Sequence, residues 1–170
     1  MDFSLFSSIV AGFLATVMMS LATELASLRG TTSMPTMQLT LGTFFSGDHE
    51  LAMLIGSALH FVIIGSIVNG AFYGFALSLA GFSWPVAVLV GLVHGSLIGT
   101  GLGQLRRIHP RVVDGTAMPR DEVISGIRGE LVVRDPGLFG VGWGEKTPAV
   151  LVGAYALYGL VFAFVYQLIA

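Results

Sequence analysis

Two histidines, His60 and His94, lie inside a long apolar stretch of the sequence. The charged residues nearest to them are Glu50 and Arg106, which border a stretch without any Asp, Glu, Lys or Arg. An ionisable group at membrane depth is costly, and it usually marks a functional site. Imidazole can ligate a metal or haem iron, carry protons near neutral pH, or form a structural hydrogen bond. These two residues are therefore the first candidates for chemistry.

The spacing predicts that the two rings share one depth in a membrane. At about 1.5 Å of rise per residue, His60 and His94 lie roughly 15 and 18 Å from the charged ends of their helices. Tyr155 lies roughly 14 Å from Lys146 and reaches the same layer. We expect a polar layer near mid-membrane that binds a small ligand, an ion or haem.

Three interpretations of this layer remain open. The histidines could be paired ligands of a b-type haem or of a metal ion. They could relay protons or ions, because histidine titrates near neutral pH. They could instead stay neutral and lock the helices together by hydrogen bonds to Ser20, Tyr155 or a backbone carbonyl.

Glu24 is the only acidic residue within a predicted span. It could neutralise a cation on its way to the histidine layer, or it could lie at the interface or pair with Arg29, about 7 Å away along the helix. We include it with Ser20 among the candidate ligand-binding residues.

The first loop carries thioether and imidazole groups that suit Cu(I). They are Met34 and Met37, followed by His49 and Met53. Methionine is also a common apolar filler. We find no arrangement of residues typical of a catalytic centre, and we do not expect an enzyme.

Small residues recur at helical spacing in every apolar segment. Such residues let helices approach closely inside lipid, where packing and not water drives association. The predicted packing positions are Gly70, Gly74, Gly91, Gly95, Gly99, Gly103 and Gly159. The close contacts would form within one bundle or across a homodimer, or the glycines would make room for a flat cofactor.

The composition is that of a membrane protein. The 170 residues are 54% hydrophobic and 11% charged, and the mean hydropathy is +0.84. A soluble domain has about a quarter of its residues charged. The net charge of −2 gives no indication of nucleic-acid binding, and the absence of cysteine excludes thiolate metal sites and disulfides.

Four segments are long enough to cross a bilayer as helices, which takes about twenty residues. They cover about 5–26, 52–80, 85–104 and 148–168. Pro85 suits the first turn of a new helix, so residues 81–85 divide the long apolar stretch into a hairpin. We predict an all-α integral membrane four-helix bundle, forming one domain over residues 1–170.

The basic residues all fall in the first and third loops. They are Arg29, Arg106, Arg107, Arg111, Arg120, Arg128, Arg134 and Lys146. With four spans these loops lie on the same side of the membrane, and an excess of Arg and Lys marks the cytoplasmic side. We therefore expect both termini outside.

The third loop, about 106–147, has roughly forty residues. Its prolines forbid a long helix, and residues 122–133 alternate charged with aliphatic side chains, which favours a short amphipathic element at the membrane surface. Asp135-Pro136-Gly137 is a turn sequence. His109-Pro110-Arg111 is interpreted as a helix stop with basic anchors.

Part of the second half of the chain resembles small bacterial four-span membrane proteins. The residues that carry the resemblance are Gly91-Leu92-Val93-His94-Gly95, Ile108-His109-Pro110 and Asp135-Pro136-Gly137 before a last glycine-bearing span. The resemblance implies a bacterial inner-membrane protein and carries over no activity. The alternative to a ligand-binding protein is a structural or assembly subunit of a larger membrane complex.

Overall fold

A computed structural model describes residues 3–114, 123–125 and 131–170 of the chain. Four of its helices are long and apolar enough to cross a membrane, which confirms the predicted number of spans. These four are α1 (Leu5–Leu28), α3 (His49–Ala80), α4 (Trp84–Leu102) and α6 (Thr147–Ile169). Two short helices, α2 (Met37–Gly42) and α5 (Leu105–Ile108), lie in the loops.

Local sequence explains where the spans begin and end. The Ser4 and Asp48 side chains accept hydrogen bonds from the backbone N–H groups of Ser7 and Leu51, so they cap α1 and α3. Prolines occupy the first turns of α4 and α6. Gly81 ends α3 with a φ of +94°, a conformation that favours glycine.

The middle of α3 is a π-helix, from Ala58 to Asn69, which the sequence did not predict. Such turns are rare and are wider than those of an α-helix. The Gly65 carbonyl accepts a hydrogen bond of 2.9 Å from the Tyr158 hydroxyl of α6, and the Ser66 hydroxyl donates to the Phe61 carbonyl. The irregular stretch therefore exchanges hydrogen bonds with side chains, and it carries His60.

The spans do not pack in chain order. Helix α6 makes the main contacts with both α1 and α4, and α3 packs on α1. Contacts between α3 and α4 involve mostly the Gly70–Ala80 part of α3. The predicted hairpin of the second and third spans exists in the chain, but these two helices have their main partners elsewhere.

The start of α1 and the end of α6 lie at the same end of the bundle as the turn between α3 and α4. The Ser4 N–H donates to the Tyr166 hydroxyl at 2.7 Å, and the Gln167 amide donates to the Phe82 carbonyl at 3.0 Å. The first and third loops meet at the opposite end, where the Leu131 N–H donates to the Gly47 carbonyl.

The third loop contains a small sheet, so the prediction of a purely α-helical chain is wrong there. Strand β3 (Leu131–Arg134) lies between β1 (Val112–Val113), to which it is parallel, and β2 (Val123–Ser125), to which it is antiparallel. The strands are rich in Val and Ile, whose β-branched side chains favour a strand over a helix. The predicted amphipathic element begins outside the described residues.

A 3-10 helix, Leu138–Trp143, follows the sheet and leads into α6. The Trp143 indole N–H donates to the Arg134 carbonyl at 2.9 Å, and Asp135 caps the turn by accepting from the Gly137 N–H. Arg106 forms an ion pair of 3.1 Å with Asp114. The third loop is therefore held against the ends of the spans.

Candidate functional site

His60 is buried beside α1. Its Nε2 atom lies 2.8 Å from the Ser20 hydroxyl, and only 5% of the residue is exposed. Ser20 was one of the partners considered for a structural hydrogen bond. The contact joins the π-helical part of α3 to α1 at about the middle of both spans.

A cavity of about 160 Å³ adjoins this contact and extends toward the loop end of the bundle. Its walls come from all four spans and from the segment between α1 and α2. The lining residues are Met19, Ser20, Thr23, Glu24, Ser27, Leu28, Met34, Pro35, Thr36, Met37, Gln38, His60, Ile98, Leu102, Leu151, Ala154 and Tyr155. For comparison, an engineered cavity of about 150 Å³ holds benzene.

One wall of the cavity is a polar stripe on α1. Ser20, Thr23, Glu24 and Ser27 follow one another at the spacing that places residues on one helix face. The Thr23 hydroxyl donates to the Ser20 carbonyl at 2.9 Å, as a hydroxyl does in a helix. The rest of the lining is mostly aliphatic and thioether in character, with Thr36 and Gln38 among its polar members.

The segment between α1 and α2 forms part of the cavity wall on the loop side. Its residues Ser33 and Thr32 fasten it to the start of α6: the Ser33 hydroxyl and N–H both donate to the Trp143 carbonyl, at 2.6 and 2.7 Å. The Thr32 and Thr147 hydroxyls lie 2.6 Å apart. Met34, Pro35 and the start of α2 are thereby held beneath the third loop.

His94 lies in a different environment, among aromatic rings. Its Nδ1 atom is 3.3 Å from the Tyr73 hydroxyl, and its ring centroid is 4.6 Å from that of Tyr155. Tyr73 in turn lies against Tyr158 and Phe162. His94 is held in a packed aromatic cluster on α3, α4 and α6.

The structure therefore brings together four of the five candidate ligand-binding residues. Ser20, Glu24, His60 and Tyr155 line one cavity, while His94 contacts Tyr155 and is not part of the lining. The ring of Tyr155 lies between the two histidine environments. The layer predicted from helix rise is thus divided into a cavity and a packed cluster.

Metal-binding groups are sparse. Within the described ranges, no group of three or more His, Asp or Glu residues could hold a metal ion. Of the residues considered for Cu(I), Met34 and Met37 line the cavity together with Met19, whereas His49 and Met53 are not among its lining residues.

The predicted packing glycines lie at three different contacts. A Cβ atom at Gly91 or Gly95 would collide with Tyr155, and one at Gly159 would collide with the Ala87 backbone. Gly70 and Gly74 lie against Ser8 of α1, and Gly99 lies against the Phe139 ring. Gly103 has room for a Cβ beside Leu138.

His109 does more than end a helix. Its Nε2 lies 3.0 Å from the Thr40 carbonyl, and its Nδ1 accepts from the Arg111 N–H at 3.1 Å. The Arg111 guanidinium donates to the Thr43 carbonyl at 2.8 Å. Burial lowers the pKa of His109, as does the charge of Arg111, while the hydrogen bond to Thr40 acts in the opposite direction. The interpretation of Arg111 as a basic anchor misses this link to α2.

Sequence reasoning missed most of the cavity. Thr23 and Ser27 could have been found from their helical spacing with Ser20 and Glu24. Thr36 and Gln38 could not, because only the fold of the first loop brings them under the bundle. No protein-family model, curated protein or solved structure matches this chain.

Proposed function

We propose that this chain is a multi-pass membrane protein that binds a small molecule reversibly in the cavity between its spans. The observation that carries the proposal is the convergence of Ser20, Glu24, His60 and Tyr155 on one cavity. A mostly apolar cavity with a few polar groups is the usual form of a small-molecule site.

A small organic ligand fits this cavity better than haem. Two histidines that ligate haem iron would have to face a common gap. Instead, His60 is hydrogen-bonded to Ser20 and His94 to Tyr73. His94 also lies outside the cavity lining. An absorption spectrum of the purified protein, with metal analysis, tests this preference: a Soret band lost in His60→Ala would establish haem in place of a small molecule.

Ligand binding can be tested with benzyl alcohol, whose ring matches the cavity in size. The protein would be placed in lipid nanodiscs and titrated by saturation-transfer NMR, with empty nanodiscs as the blank. We expect saturable binding. Leu151→Trp should weaken it at least tenfold, because Leu151 is 4% exposed and lines the cavity.

Leu160→Trp is the matched control. Leu160 lies on the same helix, is 40% exposed and is not among the lining residues. The Leu160→Trp variant should bind benzyl alcohol as tightly as the natural chain does. Equal binding by both tryptophan variants, or none by the natural chain, would overturn the proposal.

A second candidate function is that of a structural or assembly subunit. It is favoured by the hydrogen bonds of both histidines, since each joins two different spans. In this case the protein would purify as part of a larger complex or as a homodimer, and His60→Gln would leave this assembly unchanged. Saturable ligand binding that depends on Leu151 separates the first function from the second.

We further propose that the protein lies in a bacterial inner membrane with both termini outside. The basic residues in the described part of the chain support this, because all lie at the loop end, in or beside the first and third loops. The sequence has no cysteine, so single cysteines can report topology. Ser83→Cys should react with an impermeant maleimide added to intact cells, and Glu145→Cys should react only after lysis.

A further inference from the structure

The charge of the cavity lining limits what can bind there. Among the seventeen lining residues in the described part of the chain, Glu24 is the only carboxylate, and none is Lys or Arg. An anionic ligand would bury its charge without a cationic partner, which is costly at low dielectric. A cation would find the Glu24 carboxylate.

The two walls of the cavity differ in polarity. The α1 wall presents the hydroxyls of Ser20, Thr23 and Ser27 with Glu24. The facing wall, from the first loop, α4 and α6, is mostly apolar: it has Met34, Pro35, Met37, Ile98, Leu102, Leu151 and Ala154, with Thr36 and Gln38 as polar members. A ligand that satisfies both walls has a polar head and an apolar body.

The cavity opens at its acidic end. Glu24 and Leu28 are exposed, whereas His60 at the other end is 5% exposed. A charged head can therefore stay near the surface beside Glu24 while the apolar body points toward His60 and Tyr155. The volume of about 160 Å³ accommodates a body about the size of one aromatic ring.

We propose that the ligand is a small amphiphilic organic cation, an amine or quaternary ammonium on a single ring or a branched alkyl group. This inference rests on the proposed function, since it names the class of molecule that the same cavity binds. Glu24 pairs with the cationic head, and the methionine side chains adapt to the body, as thioethers do at tolerant binding surfaces.

Three probes of one size separate the charge of the ligand from its shape. Benzylamine is cationic at pH 7, benzyl alcohol is neutral and benzoate is anionic. In the nanodisc titration we expect benzylamine to bind at least tenfold more tightly than benzyl alcohol, and benzoate to show no saturable binding. Glu24→Gln should remove the preference for benzylamine and leave the binding of benzyl alcohol intact.

Glu50→Gln is the control, because it removes an exposed acid of α3 that does not line the cavity. It should keep the tenfold preference. Equal affinity for benzylamine and benzyl alcohol, both blocked by Leu151→Trp, would overturn the cationic ligand while leaving the proposed function standing. Absence of binding by all three probes would overturn both.

A soft metal ion is the competing occupant, because Met19, Met34 and Met37 share the cavity. Ag(I) is the probe for it. One Ag(I) bound per chain, displacing benzylamine and lost in Met34→Leu, would overturn the organic cation. Retention of benzylamine binding in the presence of Ag(I) would support it.

Discussion

The two histidine environments begin from the same kind of sequence and end with different structures. His60 borders a cavity and shares it with a carboxylate and three thioethers, while His94 is packed among aromatic rings. Each histidine has a hydroxyl partner on another stretch of helix. The difference indicates that burial of an imidazole in a span does not by itself make a site; unfilled space beside it does.

Glycine placement accounts for part of this difference. On the His94 side, Gly91 and Gly95 let α4 come into close contact with α6 at Tyr155. On the His60 side, an open cavity remains between α1, α3, α4, α6 and the first loop. The packed side should therefore control stability, and the cavity side should control binding.

The largest expected effect tests the packed side. In Gly91→Ala the new methyl group would collide with the backbone of Tyr155 and Ala156, and we expect the free energy of unfolding to fall by about 3 kcal/mol. Gly101→Ala is the matched control on the same helix, since nothing lies within 4 Å of its Cβ position. Unfolding in mixed detergent micelles measures both, and a Gly91→Ala variant as stable as Gly101→Ala would contradict close packing.

Alanine variants of the two histidines, each measured for stability and for binding, test the two regions separately. His94→Ala leaves the Tyr73 hydroxyl unpaired and opens a void, so we expect a loss of about 2 kcal/mol in stability. Its affinity for benzylamine should not change. His60→Ala should lower that affinity about tenfold, because it removes the wall at the closed end of the cavity.

Both affinities come from the nanodisc titration and both stabilities from micelle unfolding. If His94→Ala and His60→Ala changed stability, or affinity for benzylamine, by the same amount, the proposed difference between the two histidine environments would be contradicted.

The Ser20 hydroxyl should contribute less. Ser20→Ala removes the partner of His60 at 2.8 Å, and hydrogen bonds between membrane helices contribute about 0.6 to 1.7 kcal/mol. Ser96→Ala is its control, because the Ser96 hydroxyl bonds within its own helix to Leu92 and is exposed. If the two variants lose the same stability, the contact between α1 and α3 is not a lock.

The smallest effect concerns the loop end of the bundle, where the first loop and α2 line the cavity. The pKa of His109 is lowered mainly by burial, so the folded state favours the neutral ring more than the unfolded state does. Stability from this group is complete above the unfolded value of about 6.5 and is lost as pH falls toward the folded pKa. The melting temperature should therefore drop on acidification below about pH 6.5.

His109→Gln should remove part of that pH dependence. The amide can still donate to the Thr40 carbonyl, which accepts from the histidine in the natural chain. Melting curves at several pH values measure the effect. If the melting temperature depended on pH in the same way in both proteins, His109 would not couple pH to stability at this end of the bundle.

Some features of the fold follow from local sequence. The four spans could be predicted from apolar length, and their ends from Asp48, Pro85 and Pro148, because caps and prolines act within one turn. The sheet in the third loop was not predicted. Its strands are short and pair with segments that are distant in the sequence, so they give only a weak local pattern. The π-helical part of α3 has no pattern of its own either.

The candidate site divides in the same way. Sequence selected Ser20, Glu24, His60, His94 and Tyr155 by residue type and depth, since helix rise fixes height along a span. It could not give the direction of each side chain around its helix. Apart from the polar stripe on α1, these helices carry apolar residues on every face, so periodicity does not distinguish a lipid-facing side from a protein-facing one.

The sequence alone thus predicted four spans, with loops one and three at one end, and candidate polar groups at a common depth. The tertiary structure decided that α6 lies between α1 and α4, that α3 packs on α1, and that the first loop folds beneath the third. The reason is that close contacts of small residues and inter-helical hydrogen bonds choose helix partners in a membrane, and both depend on residues far apart in the chain. Those contacts left one histidine beside a cavity and packed the other among aromatic rings.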